Sequence, residues 1–198
     1  LVAGGTSSGK TSLLNVLSGF IPAHQRIVVI EDSAELELPQ DHVIALEARH
    51  ADRWGKGVVT ISDLFRSSLR LRPDRIIIGE VRGGEALDVI QAMTSGHAGS
   101  MTTLHANSAM DALNRLETLA MMSKIELPLF ALRAQVASAI DVVVQMTRFN
   151  DGRRAITEVS EVLPVRHKLG LDRTDKVSVH DVSVSPRDVV AATLPDPA

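Results

Sequence analysis

The stretch "GGTSSGKTS", Gly4–Ser12, constrains this chain more than any other. It contains the pattern G-x-x-x-x-G-K-T from Gly4 to Thr11. Before it stands "LVA", a fragment of a buried strand; after it, Ser12-Leu13-Leu14-Asn15-Val16-Leu17 reads as a helix stopped by Gly19 and Pro22. A strand that turns through a glycine loop directly into a helix points loop N–H groups and the helix N-terminus at one spot. That geometry cradles phosphate oxygens. The loop then comprises Gly4, Gly5, Thr6, Ser7, Ser8, Gly9, Lys10, Thr11 and Ser12, with Lys10 neutralising β/γ-phosphate charge and the Thr11 hydroxyl binding Mg²⁺. A dinucleotide site is excluded, because the spacing is not G-x-G-x-x-G.

The remaining pattern is α/β. "RIVVIED" (Arg26–Asp32), "RIIIGEV" (Arg75–Val81), "SMTTLHA" (Ser100–Ala106) and "VVVQMT" (Val142–Thr147) read as strands. Helical spacing links Ala86, Val89, Ile90 and Met93, then Met110, Leu113 and Leu116. It links Leu129, Leu132, Val136, Ala139, Ile140 and Val143 over a longer span. Strands with apolar residues on both faces, alternating with helices, predict a mostly parallel sheet covered by helices. After Arg148 a turn at Asp151–Gly152 leads into an antiparallel strand, and "SPRDVVAATLPDPA" predicts a frayed end. The chain opens on Leu, inside a strand, which predicts a fragment lacking an N-terminal part.

Composition narrows the classes. The 198 residues are 44% apolar and 23% charged with a net charge of −3, which describes a globular chain without a global basic field. Absent cysteine removes disulfides and thiolate metal sites. The most apolar stretch, Leu127–Met146, is interrupted by Arg133 and Asp141 and falls short of the about 18 clean apolar residues of a membrane span.

Phosphoryl transfer to water needs a metal near the β/γ phosphates and a carboxylate that orients the attacking water. Two acidic sites stand at strand C-termini, where open α/β sheets bind ligands. Glu80, after "IIIG", occupies the position of an acid that holds a Mg²⁺-bound water; Glu31, Asp32 and Glu35 follow "IVVI", and spacing does not choose among those three. Arg82, two residues past Glu80, is placed to sense or clamp phosphate. The basic run Arg49, Arg53, Lys56, Arg66, Arg70, Arg72 and Arg75 fits a solvated helix face, a subunit interface or a phosphate-sensing surface. "TSGHAGSMTTLHANS" adds His97 and His105 among small polar residues. On one strand they would share a face about 26 Å apart, too far for a common metal.

Together, "GGTSSGKT", "RIVVIEDSAEL", "RPDRIIIGEVRGGEALDVIQAM" and "TSGHAGSMTTLHANS" resemble the secretion ATPases that power type II secretion, type IV pili and related machines, the tight-adherence (Tad) pilus branch above all. The resemblance covers roughly residues 1–165 and implies a RecA-like P-loop core, with 166–198 as C-terminal strands and tail. It implies Mg²⁺-dependent ATP hydrolysis by a homo-oligomer, a hexamer in the family, acting with inner-membrane platform proteins at the cytoplasmic face. It casts Glu35 as the water activator, Glu80 and Lys10 as catalytic partners, and His105 and His97 as the histidines of a phosphate-sensing box. Arg49 would approach the nucleotide. Two positions depart from the family pattern: Ser7 replaces a frequent Gly, and Ser33 replaces a frequent Pro before Glu35. Two other functions compete. A nucleotide-binding switch with little hydrolysis would not need both Glu35 and Glu80. A nucleic-acid translocase would need more stacking platforms than 3% aromatic content supplies, so no nucleic-acid partner is expected.

Overall fold

The computed structural model describes residues 1–163 and 178–181. Among them the strands are β1 (Val2–Gly4), β2 (Ile27–Glu31), β3 (Val43–Glu47), β4 (Arg75–Ile78), β5 (Met101–Leu104), β6 (Val142–Arg148), β7 (Arg154–Leu163) and β8 (Ser178–Asp181). The helices are α1 (Lys10–Ser18), α2 (Ile61–Ser68, extended by a 3-10 turn over Leu69–Leu71), α3 (Ala86–Thr94), α4 (Ala109–Ala120) and α5 (Leu129–Ala139). One sheet runs in the order β3-β2-β4-β5-β1-β6-β7-β8. Pairing is parallel from β3 to β6, and β7 and β8 add antiparallel. The mostly parallel α/β sheet with an antiparallel addition is the fold the sequence predicts.

Two apolar layers explain the uninterrupted β-branched runs. In β2, Val28 and Ile30 pack with Phe65 of α2 and the buried faces of α3, α4 and α5. Ile27 and Val29 point the other way, into a second cluster with Leu14 of α1. β4 repeats this, Ile76 and Ile78 against Ile77. Each strand is therefore apolar on both sides, as buried parallel strands are.

Several expectations are corrected. β3 was not anticipated: "VIALE" is a half-exposed edge strand, and its Ala and Glu dilute the β signal. The helical spacing through Ile140 and Val143 misleads. α5 ends at Ala139, Ile140 is extended at φ −107° and ψ 115°, and Val143 lies inside β6. The β-branched run there gains a place between β1 and β7 that a helix would forfeit. Strands read as Arg75–Val81 and Ser100–Ala106 shorten to β4 and β5, so Glu80 and His105 stand past strand ends. The expected hairpin turn is present, with Gly152 at φ 87°. The expected fraying of Ser185–Ala198 lies outside the described residues.

Candidate active site

The strand ends of β2, β4, β5 and β1 are neighbours in the sheet, and the loops leaving them enclose a cleft of about 700 Å³. This is the crevice beyond the carboxyl ends of parallel strands. The phosphate loop begins where β1 stops. Gly9 precedes α1 at φ 95°, and no side chain caps the helix, so its first N–H groups face the cleft uncovered. Thr6, Ser7, Lys10 and Thr11 line the cleft, while Ser12 is exposed on α1 outside that lining. Ser8 is buried with its hydroxyl unpartnered beside Gly4. Ser7 answers the question its identity raises: it sits at φ 56°, the left-handed region that glycine adopts without cost.

Lys10 is 8% exposed, and its ammonium donates to the Gly4 and Gly5 carbonyls at 3.1 Å each. Its third contact is His105 Nδ1 at 3.3 Å. Three acceptors match the three protons of an ammonium. Burial nevertheless pulls the lysine below its ordinary range, with Glu80 pulling the other way. Since Nδ1 accepts from Lys10, the network assigns the imidazole proton to Nε2. Nε2 lies 2.9 Å from Glu80 Oε1. The pair makes no hydrogen bond, and Oε1 stays buried without a donor. Burial first, and Lys10 second, lower the His105 pKa, so the ring is neutral near pH 7.

Glu80 is held from its other oxygen by Arg82, which donates at 2.9 Å. Arg82 also lies 3.8 Å from Asp32, and Asp32 lies 3.3 Å from His50. These outer pairs are largely exposed and count for position more than for stability. Glu80 follows Gly79, where a Cβ would lie 3.0 Å from the Glu31 side chain; glycine lets the two acidic strand ends close on each other. Glu31 is 6% exposed, and its Oε1 accepts from the main-chain N–H groups of Glu35 and Leu36, each at 3.1 Å. Burial raises its pKa against those two hydrogen bonds. The turn that a proline would stiffen at position 33 is thus tied by Glu31 instead. Glu35, exposed at the cleft mouth, accepts from the Thr11 hydroxyl at 3.2 Å.

The structure therefore brings together Lys10, Thr11, Glu35, Glu80, Arg82 and His105. Arg49 also lines the cleft but is bound elsewhere. Its Nε donates to the Gly57 carbonyl at 2.5 Å, and its backbone bridges Val59. His97 is not brought in. It lies in the connection from α3 to β5, at the end of β5 opposite His105, and is absent from the cleft lining. β5 (Met101–Leu104) runs between the two histidines, with His97 before it and His105 directly after it.

Three contributors escaped the sequence reading. Glu85 Oε1 accepts from Arg82 N at 2.7 Å and Gly83 N at 2.8 Å, fixing the turn after Glu80; an acid three residues past a turn start is a legible signal of this. His50 reaches Asp32 from the strand edge. Arg154 of β7 donates to the Ser7 carbonyl at 3.0 Å, and nothing local marks it. Among the described residues no helix is long and apolar enough to cross a membrane.

Comparison with known proteins places the chain in a family. Residues 1–187 match the family described as Type II/IV secretion system protein. A putative conjugal transfer protein of Mycobacterium tuberculosis is 41% identical over 160 residues, covering 81% of this chain and 45% of that protein. The type IV secretion system protein PtlH of Bordetella pertussis is 46% identical over 151 residues, covering 75% and 44%. Among solved structures, the VirB11 ATPase from the Brucella suis type IV secretion system, in complex with sulphate, superposes with a TM-score of 0.72 at 38% identity. That alignment covers 81% of this chain and 48% of the other. The chain spans about half the length of the relatives it matches. With a family match over residues 1–187 and a mostly parallel sheet, the chain belongs to the type II/IV secretion system protein family.

Proposed function

We propose that this chain carries the ATP-hydrolysing core of a secretion-system motor. One observation carries the reading: four neighbouring strand ends deliver Lys10, Thr11, Glu35, Glu80 and His105 to one cleft that opens on an uncapped helix start. Loop and helix N–H groups would take phosphate oxygens, and the Lys10 ammonium would exchange its Gly4 and Gly5 carbonyls for the β/γ region. His105 senses that exchange, because its Nδ1 accepts from Lys10 while its Nε2 faces Glu80. A lysine drawn to phosphate releases the imidazole, and with it the Glu80–Arg82 pair. Glu35 orients the attacking water, its backbone tied down by Glu31.

The residues present fit Mg²⁺. Thr11 Oγ1 and Glu80, the latter through water, are hard oxygen donors, and Glu80 Oε1 is buried without a well-directed partner. The lining holds five carboxylates against Lys10, Arg49 and Arg82. A polyphosphate therefore needs an accompanying cation to enter without repulsion. Thr11 and Glu80 would hold the ion, which would supply positive charge against the charge that develops on the phosphates.

The wider reading follows the family. The working unit is a homo-oligomer, a hexamer by resemblance, docked on inner-membrane platform proteins at the cytoplasmic face. The relatives named above favour a type IV secretion or conjugal-transfer machine over a Tad pilus. The test measures Mg²⁺-dependent ATP turnover and oligomer mass for wild type, Lys10→Ala and Glu35→Gln. Turnover by the oligomer, lost in Glu35→Gln with ATP still bound and lost in Lys10→Ala altogether, is expected. Wild-type rates in Lys10→Ala would refute the site. An inert wild type that binds ATP would make the chain a nucleotide switch. Strong stimulation by single-stranded DNA, lost at high salt, would restore the translocase reading.

A further inference from the structure

Strand β7 touches two of the segments that build or flank the cleft, the loop after β1 and the connection from β5 to α4. At its start, Arg154 Nε donates to the Ser7 carbonyl at 3.0 Å. The stem of Arg154 also passes Gly9, where a Cβ would meet its Cδ at 3.4 Å. Ser7 holds a left-handed backbone, a conformation that persists only where surroundings enforce it. Four residues along, the Glu158 carboxylate accepts from the N–H of Ala109, the first residue of α4, at 3.2 Å. Directly across the ladder, Gln145 donates to the Ala106 carbonyl at 3.1 Å. Ala106 follows His105.

These contacts lie on opposite faces of the sheet. Ile156 packs in the layer with α1, whereas Val162 packs in the layer with α3, α4 and α5. In an unbroken strand two residues six apart share a face. Here they do not, because Gln145 pairs Glu158 while Met146 pairs Ile156, leaving Thr157 as an extra residue. One inserted residue turns every later side chain to the other face. Ahead of the bulge Arg154 reaches the phosphate loop; beyond it Glu158 reaches the start of α4.

We propose that Arg154 and Glu158 are positioning residues of the nucleotide reaction, and that the bulge at Thr157 lets one strand hold the phosphate loop and the His105 segment together. This rests on the ATPase reading of the same cleft. Arg154 acts through Ser7 on nucleotide binding. Glu158 acts through the Ala106–Ala109 segment on His105, and so on turnover.

The experiment measures ATP Kd, KM and kcat for Arg154→Ala, Arg154→Lys, Glu158→Ala and Glu158→Gln beside wild type. Arg154→Ala is expected to raise Kd and KM about tenfold with kcat within about twofold, and Arg154→Lys, still a donor, to recover most of the loss. Glu158→Ala is expected to lower kcat about tenfold at nearly constant KM, with rescue by Glu158→Gln, whose carbonyl still accepts the Ala109 N–H. Unchanged constants, or kcat and KM falling together with melting temperature and no rescue by either conservative variant, would overturn the proposal. A wild type that binds ATP without hydrolysing it refutes the ATPase reading alone. In that case Kd still decides the Arg154 claim: a lysine-rescued tenfold rise supports it and an unchanged Kd overturns it.

Discussion

The two adjacent glycines that open the phosphate loop should respond very differently to an added methyl group. Gly4 ends β1 in parallel register with Met146 of β6. A Cβ on Gly4 would lie 2.5 Å from the Met146 carbonyl oxygen, inside the 3.0 Å limit that real Cβ atoms respect; it would also crowd the Ser8 hydroxyl and stand 3.1 Å from the Met146 Cβ. Relief requires β1 and β6 to part by about 0.5 Å, and β1 is an inner strand held on both sides. Overpacking of this kind costs about 2 kcal/mol, which lowers Tm by about 4–8 °C in a chain of this size. Function suffers too, since the Gly4 carbonyl is one of the acceptors that place Lys10. Gly4→Ala should therefore weaken ATP binding about tenfold, equivalent to about 1.4 kcal/mol. At Gly5 an added Cβ meets nothing within 4 Å, so the stability of Gly5→Ala should match wild type within about 0.5 kcal/mol. Differential scanning calorimetry and ATP titration of both variants settle the matter. Equal stability of Gly4→Ala and Gly5→Ala would show that β1 does not press on β6 as described.

Three further outcomes are expected. Glu31 has a raised native pKa from burial, so the native state binds its proton more readily than the unfolded chain, and its contribution to stability falls as pH rises from about 4.5 through the native value. Glu31→Gln removes that fall; its Tm relative to wild type should climb over this window, and a flat difference would refute the burial effect. Arg133→Ala strands Glu117, whose side chain is 7% exposed and 3.2 Å from Arg133 Nε between α4 and α5, and should cost about 3 kcal/mol in urea unfolding. Replacing both by leucine should recover most of it, and equal loss in the double variant would refute the stranded-charge account. Ser7→Gly relieves a left-handed serine at the expense of a looser unfolded chain, for a net gain of about 0.5 kcal/mol; destabilisation beyond about 1 kcal/mol would show that the Ser7 side chain is needed.

What could be read from residue order alone was whatever neighbouring residues decide. Glycine spacing, Lys10 and Thr11 define a phosphate loop because eight consecutive residues place them, and the apolar runs of β2 and β4 require cover on both faces. Glu80 and the group Glu31, Asp32 and Glu35 were legible as acids at strand ends, since a parallel sheet collects its strand ends on one side. His105, by contrast, read as part of a strand and was singled out by resemblance alone. The pairing of Thr11 with Glu35 and of His105 with Lys10 and Glu80 was not legible, because it depends on which strands are neighbours. His97 shows the limit from the other direction: eight residues from His105 in sequence, it stands at the opposite end of β5, which runs between them. Arg154 meets Ser7 across 147 residues, with no periodicity to announce it. Only the hairpin register, shifted by one residue at Thr157, determines which face each side chain of β7 takes. Local chemistry is written in adjacent residues, whereas strand order and register emerge when distant segments compete for the same buried surface, and the sheet settled both.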